Sequence, residues 1–323
     1  MTGVQMISVT AADSGLRVDR WFRQHYPQVK HGQLQKMLRK GQIRVDGGKV
    51  KADRRLGEGE VIRVPPIDLS SDTHPKKQHQ RVSSQDAEYI RSLILYEDDD
   101  VIALNKPFGL AVQGGTKTTR HLDGMLGALE EGGERPRLVH RLDRDTGGLM
   151  VLGRTRKSAA LLAEAFRHHD VLKTYWALTK RVPHPPFGRI DVAIDKGKAV
   201  DGQERVGPNR MGKRAITDFQ VVETAALKAA FVALRPTTGR THQIRVHMTA
   251  LKTPIIGDRK YGGAEAILEG VSEKMHLFCR SMTLPLPGRK PLTITAPLTG
   301  HMSETWAWFG FTEPHELEWP DHG

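Results

Sequence analysis

The spacing of apolar positions changes character along the chain. Between Leu16 and Pro65, Val18 and Phe22 lie one helical turn apart, as do Leu34 and Leu38, which predicts two short amphipathic helices. Ile43 and Val45 then alternate with polar residues as in a strand, Asp46-Gly47-Gly48 supplies a turn, and Val50 resumes the pattern. A second turn at Gly57-Glu58-Gly59-Glu60 precedes Val61-Ile62-Arg63-Val64. The prediction is a compact module over residues 16–65, with residues 1–15 as an extension before it.

Residues 66–89 lose all apolar periodicity. They begin at the Pro65-Pro66 pair and contain Lys76-Lys77, which reads as a polar linker. His74 and His79 within it lack a third convergent ligand, so no metal site is expected. From residue 90 to 323, strand-like runs fall at Val101–Asn105, Leu138–His140, Leu149–Gly153, Tyr175–Thr179 and Phe231–Arg235. Helical spacing falls at Lys157–His168 and His242–Leu251. Helices and strands do not alternate strictly, which argues for an α+β domain with a mixed, mostly antiparallel sheet rather than a doubly wound parallel one.

Length agrees with this division, since 323 residues exceed the usual single domain. No apolar run approaches the roughly 20 residues that span a bilayer, and residues 1–16 carry neither a secretory nor a mitochondrial pattern. Cys279 is the single cysteine, so neither an intrachain disulfide nor a thiolate zinc cluster can form. A reducing, cytoplasmic setting is expected, with no membrane partner.

Charge adds a partner. The formal net charge is +12, and it is concentrated: Arg17 to Val64 holds 13 Lys/Arg against 5 Asp/Glu, a net of +8. Such an excess suits a polyanion, because neutralising phosphates releases condensed counterions, although a basic solvated face has the same composition.

Candidate chemistry is densest at Val139-His140-Arg141-Leu142-Asp143-Arg144-Asp145-Thr146-Gly147-Gly148-Leu149, between two predicted strands. A loop presented by a rigid sheet is a common place for catalytic groups, and paired glycines allow close backbone approach. By residue types alone, a salt-bridged structural turn fits this loop as well.

The run HRLDRDTGGL resembles the hallmark of the RluA-type pseudouridine synthases, the large-subunit ribosomal RNA branch included. Further blocks agree in order: Asn105-Lys106-Pro107-Phe108-Gly109-Leu110, Lys173-Thr174-Tyr175, Thr238-Gly239-Arg240-Thr241-His242-Gln243-Ile244-Arg245-Val246-His247, and Gly257-Asp258 with Tyr261-Gly262. The basic module resembles the α-L RNA-binding fold first named from a small-subunit ribosomal protein. In the family this module precedes the catalytic domain of the branch that acts on large-subunit ribosomal RNA. The implied substrate is therefore that RNA, with transfer RNA the lesser alternative.

The resemblance implies isomerisation of uridine to pseudouridine by a monomer that needs no cofactor and no metal. Breaking C1′–N1 and rejoining the base through C5 calls for an oxygen nucleophile, acting by attack at C1′ or through a glycal route. By resemblance that nucleophile is Asp143, Arg245 is its guanidinium partner, and Tyr175 is the active-site tyrosine that stacks on the base. Arg141 matches an arginine that can fill the RNA stack when the uridine flips out. His140 is read as a supporting or RNA-contact residue, Arg240 as a second guanidinium or phosphate contact, and Lys106 as a substrate contact. Thr241 is the expected cap of the helix that carries Arg245. His242 and His247, five apart, do not match the spacing of a helical metal pair. In the basic module, Arg17, Arg20, Arg39, Lys40 and Arg44 are the expected phosphate contacts.

Two positions depart from the family pattern. Gln113, in Ala111-Val112-Gln113-Gly114-Gly115, stands where a histidine is frequent, and Lys30-His31 stands where a serine-arginine pair is common. The AVxGG texture leans toward the branch with several target sites near the peptidyl-transferase region. A non-enzymatic RNA-binding protein of the same fold is the rival reading, disfavoured by the intact Asp143, Tyr175 and Arg245 set. A hydrolase using Asp143 and Asp145 fits poorly, because neighbouring loop carboxylates do not supply opposed acid and nucleophile.

Overall fold

The computed structural model describes residues 3–29, 31–67, 82–115, 118–197, 206–314 and 316–320. The chain divides into two compact units, Met1–Gln80 and Arg81–Gly323. In the first, helices α1 (Val18–His25) and α2 (His31–Arg39) present Val18, Phe22, Leu34 and Leu38 to a shared core, as their spacing predicts. That core lies against a four-stranded sheet of β1 (Gln5–Ser8), β2 (Arg44–Val45), β3 (Gly48–Lys49) and β4 (Val61–Val64), in the order β1-β4-β2-β3. Asp46 and Gly47 take the positive φ of 48° and 74° that a two-residue hairpin turn needs. Residues 5–8, read from sequence as part of an extension, pair antiparallel with β4 and complete this sheet. Val4 and Met6 are exposed there, so the alternation that marks a half-buried strand is too faint to see. Lys30, and His74, Lys76, Lys77 and His79 of the expected linker, lie outside the described residues.

The second unit begins earlier than its predicted start, with α3 (Ser84–Ser92), whose first turn is capped by the Ser83 hydroxyl accepting from the Asp86 amide. Then follow β5 (Ile94–Glu97), β6 (Val101–Lys106), the single turn α4 (Leu122–Met125), β7 (Arg137–Leu138) and β8 (Gly147–Gly153). Helix α5 (Arg156–His168) opens with a reciprocal Thr155–Ser158 capping box and stops at His169 in the left-handed region. Next come β9 (Leu172–Lys180), β10 (Phe187–Asp191), β11 (Ile194–Lys196), β12 (Val206–Pro208), β13 (Ile216–Ala225) and β14 (Ala229–Pro236). Helix α6 (Gln243–Ala250), β15 (Leu277–Leu284), β16 (Leu292–Thr295) and α7 (Gly300–Phe309) complete the unit.

Ten of these strands form one sheet in the order β10-β13-β14-β9-β15-β8-β6-β5, with β16 beside β15 and β7 beside β8. The pairings are antiparallel except β15 with β8, so the sheet is mixed and mostly antiparallel, as expected. Period-two alternation covers both faces. Trp176, Leu178, Phe231 and Ala233 join the core that holds Trp306 of α7, while Ala177, Ala230, Val232 and Leu234 join the core under Ile244 and Met248 of α6. Strands β13 and β15 mix buried and half-buried residues without a regular in–out alternation, which makes them hard to delimit from sequence.

The parallel seam fixes the chemical loop. Cys279 of β15 pairs with Gly148 of β8, and Cys279 also pairs with Tyr175 of β9. Gly148 has φ +101°, and a Cβ there would stand 2.3 Å from the Cys279 carbonyl oxygen, a backbone atom that cannot step aside. We expect Gly148→Ala to destabilise the second unit by about 3 kcal/mol, combining overpacking with strained φ. Urea unfolding of the variant checks this; an unchanged midpoint and slope would contradict the seam's tightness.

Candidate active site

The loop between β7 and β8 rests on a buried lysine. Lys106, at the end of β6, is fully buried, and its Nζ donates to the carbonyl oxygens of Pro107 (2.9 Å), Leu110 (2.9 Å) and Arg144 (3.1 Å). All three protons are used inside the protein. The expectation of a substrate contact is therefore corrected: Lys106 ties the 107–110 turn to the chemical loop. Burial pushes its pKa down to about 8, against the opposing pull of Asp145 and Asp143.

Asp143, at the loop's centre, is about one-third exposed. Arg245 reaches it from α6, Nη1 donating to Asp143 Oδ2 at 3.3 Å. The same guanidinium is clamped from behind by Asp258, with Nε to Oδ2 at 2.8 Å and Nη2 to Oδ1 at 2.7 Å, a two-point planar fit. Asp258 is 1 % exposed. Burial works against the charge on Arg245, but the hydrogen bonds and charge of Asp258, then of Asp143, outweigh it and hold its pKa above the usual value. Its ring-stacking neighbour is Tyr261, 4.9 Å from the guanidinium carbon.

Tyr261 also orients a second group on Asp143. The Tyr261 hydroxyl accepts from the Val206 amide (3.3 Å) and lies 2.6 Å from His242 Nδ1. Its proton is thus available to His242 Nδ1, which places the imidazole proton on Nε2, 3.5 Å from Asp143 Oδ2. Burial lowers the His242 pKa despite the attraction of Asp143, so a neutral imidazole fits this network. Both neighbours approach Oδ2, and among the described residues Asp143 Oδ1 has no hydrogen-bond partner.

Gln243 holds the turn that delivers His242 and Arg245. Its Oε1 accepts from the Thr238 hydroxyl (2.6 Å) and the Arg240 amide (3.1 Å), while its Nε2 donates to the Ile216 carbonyl (2.8 Å) and the Thr217 hydroxyl (3.0 Å). His242 itself, not Thr241, is the residue before the helix, and it sits at φ 56° without a side-chain cap. His247 is fully buried between Thr217 and the Val192 carbonyl, a structural position. Among the described residues there is no cluster of His, Cys, Asp or Glu that could hold a metal ion.

Asp143 forms the wall between two cavities. One, of about 390 Å³, is lined by Tyr175, Lys173, His140, Phe166 and Arg240 besides Asp143 and Arg245. The other, of about 950 Å³, is a groove lined by Phe108, Gln113, Arg144, Arg259, Lys260 and Lys274, with Arg141 shared between the two. Burial, then the neighbouring Cys279, raises the Tyr175 pKa well above the usual phenol range, so it stays protonated. An oriented carboxylate with one oxygen uncommitted, beside an aromatic-walled cavity large enough for a nucleobase, is suited to displacement at a glycosidic carbon.

A family model described as RNA pseudouridylate synthase matches residues 100–250, which contain Asp143, Tyr175 and Arg245. A Rickettsia conorii protein named ribosomal large subunit pseudouridine synthase C is 35 % identical over 256 residues, covering 77 % of this chain and 83 % of that protein. Its Vibrio cholerae namesake is 34 % identical over 308 residues, covering 94 % of this chain and 96 % of that one. The chain belongs to the RNA pseudouridylate synthase family. The solved structure of human RNA pseudouridylate synthase domain containing 4 superposes with a TM-score of 0.60 at 29 % identity, over 72 % of this chain and 99 % of that one.

Within this synthase, the expected trio of Asp143, Tyr175 and Arg245 converges on one cavity, with Arg141 and Arg240 exposed at its rim. His140 lies there too, but its Nε2 accepts from the Val151 amide at 2.9 Å and its ring stacks on Phe166. Burial, reinforced by Lys173, pushes its pKa down to about 3; it braces the loop as a neutral ring. In the first unit, Arg17 and Arg39 share a cleft with His31 and Lys51, and Arg17 is paired with Asp19 at 2.8 Å. Arg44 instead donates to the Gly41 and Gly47 carbonyls of its own hairpin, while Arg20 and Lys40 are exposed outside the cleft.

Sequence reasoning assigned no role to Asp258, Tyr261, His242, Gln243 or Lys173, although all fall in the blocks that carried the resemblance. Removing the buried anion tests the clamp. We expect Asp258→Ala to destabilise the synthase by about 3 kcal/mol, since a buried guanidinium loses its main partner, and to slow turnover as Arg245 loses its orientation. Denaturant titration with a turnover assay checks both; a variant of full stability and rate would refute the clamp.

Proposed function

We propose that this pseudouridine synthase isomerises uridine in large-subunit ribosomal RNA, with Asp143 as the nucleophile, Arg245 as the group that orients it and Tyr175 as the aromatic wall against the base. The observation that carries this reading is the asymmetry of Asp143: Oδ2 meets Arg245 and His242, and Oδ1 is left for the sugar. The carboxylate oxygen bonds to C1′ as the C1′–N1 electron pair passes to the base. Alternatively, it takes the C2′ proton while a glycal forms. The detached base then turns, and C5 bonds to C1′ as the C1′–Oδ1 bond breaks or, in the glycal route, as Asp143 returns the proton to C2′. The C5 proton then passes to water and N1 takes one from water. Protonated Tyr175 can stack on the uracil or donate a hydrogen bond without adding charge.

Support for the RNA class comes from the names of the relatives, which act on the ribosomal large subunit, and from the basic cleft of the first unit. Asp143→Asn should reduce pseudouridine formation below detection while RNA affinity stays within a few-fold, because the amide keeps the shape but loses the nucleophile. Detectable turnover by the purified variant would refute Asp143 as nucleophile. Pseudouridine mapping of total RNA, with and without the gene, should show the missing sites in large-subunit ribosomal RNA; losses confined to transfer RNA would overturn the substrate assignment.

A further inference from the structure

We propose that Lys173 is a catalytic residue of this synthase, whose ammonium stabilises the negative charge that collects on the uracil ring when the C1′–N1 bond breaks. This rests on the reading of the smaller cavity as the place that receives the base.

Lys173 is 9 % exposed and lines that cavity two residues before Tyr175 on β9, so both side chains project from one face of the strand. Its ammonium has no ion pair or hydrogen bond among the described residues; the Phe166 ring lies 6.0 Å away. That is unusual for a buried lysine, and Lys106 shows the ordinary alternative, three carbonyl acceptors within 3.1 Å. Burial lowers the Lys173 pKa, opposed only by Cys279, which is itself pushed up to about 12 and therefore carries no charge at neutral pH. Lys173 thus stands with no carboxylate paired to it where an uncharged substrate base would enter.

The other cationic candidates around the cavity are committed elsewhere. Arg245 is shared between Asp258 and Asp143. His140 is neutral and accepts from Val151. Arg141 and Arg240 are exposed at the rim. Departure of the base is heterolytic in either route: the C1′–N1 pair passes to N1 and is delocalised onto O2 and O4. A fixed positive charge beside the base interacts weakly with neutral uracil and strongly with the uracil anion, so it acts on the transition state. No proton need leave Lys173. Once C5 has bonded to C1′ the ring is neutral again, and exchange of the C5 proton for one taken up at N1 from water keeps it neutral, so the interaction weakens before release.

The test compares wild type and Lys173→Met, which keeps volume and removes charge, in single-turnover assays on transcripts carrying the mapped target site as uridine or 5-fluorouridine. Loss of the N1-linked nucleoside is the readout. Fluorine makes the departing base a better leaving group and so reduces its need for a cation. We expect the uridine rate to fall by about 10²-fold with RNA affinity within a few-fold. The deficit should be several-fold smaller on 5-fluorouridine, and the Tm unchanged or raised, because a buried unpaired charge has been removed. Equal deficits on the two substrates, a loss confined to RNA affinity, an unchanged rate, or a fall in Tm that accounts for the lost rate would each overturn the proposal. Asp143→Asn assayed in parallel separates the readings, since its turnover bears on the nucleophile alone.

Discussion

The buried contact between Arg245 and Asp258 organises the catalytic centre. A guanidinium is planar and its donors lie in fixed directions, so occupying Nε and Nη2 with one carboxylate determines where Nη1 points. Nη1 meets Asp143, and Asp143 in turn is the wall between two cavities. Buried ion pairs add little net stability once desolvation is counted. What this one contributes is direction: a carboxylate on a loop is positioned by a charge on a helix, itself positioned by a buried anion thirteen residues further along.

Everything around that contact serves to make it rigid. Gln243 spends four hydrogen bonds on the turn before α6, and Lys106 spends three beneath the chemical loop. His140 braces the other side of the loop as an acceptor from β8. Each is a polar side chain turned inward and bonded to backbone groups, with two threonine hydroxyls completing the set of Gln243, so loop segments gain the definition that strands have from their ladders. Sites built this way hold geometry without relying on loop stiffness.

The sequence made some of this legible and not the rest, for physical reasons. Helix spacing in the basic module and in α5 was readable because one face is wet and one dry. Strands β13 and β15 were obscure because their buried and half-buried residues follow no regular alternation. Asp143, Arg245 and Tyr175 could be singled out through a resemblance, but their mutual arrangement depends on contacts between residues 102 positions apart, which no local pattern encodes. Lys106 illustrates the opposite error. A lysine in a distinctive block reads as a ligand contact, and only three converging carbonyls show it to be structural. Asp258 is silent in the sequence, because a lone acidic residue before a turn carries no sign of the partner it will meet.

The pairing of β15 with β8 has a further consequence, for the order in which the enzyme comes into being. Cys279 lies 131 positions after Gly148, yet the two share a ladder beside the chemical loop, and Tyr175 meets Cys279 across the adjacent one. Contacts so distant along the chain close late, since the loop entropy must be overcome first. During synthesis the basic module can fold as soon as it emerges, whereas the pocket has no floor until residue 279 has been made. A nascent chain can therefore carry a folded basic module before it has a pocket, and chemical competence arrives as one of the last events of its assembly.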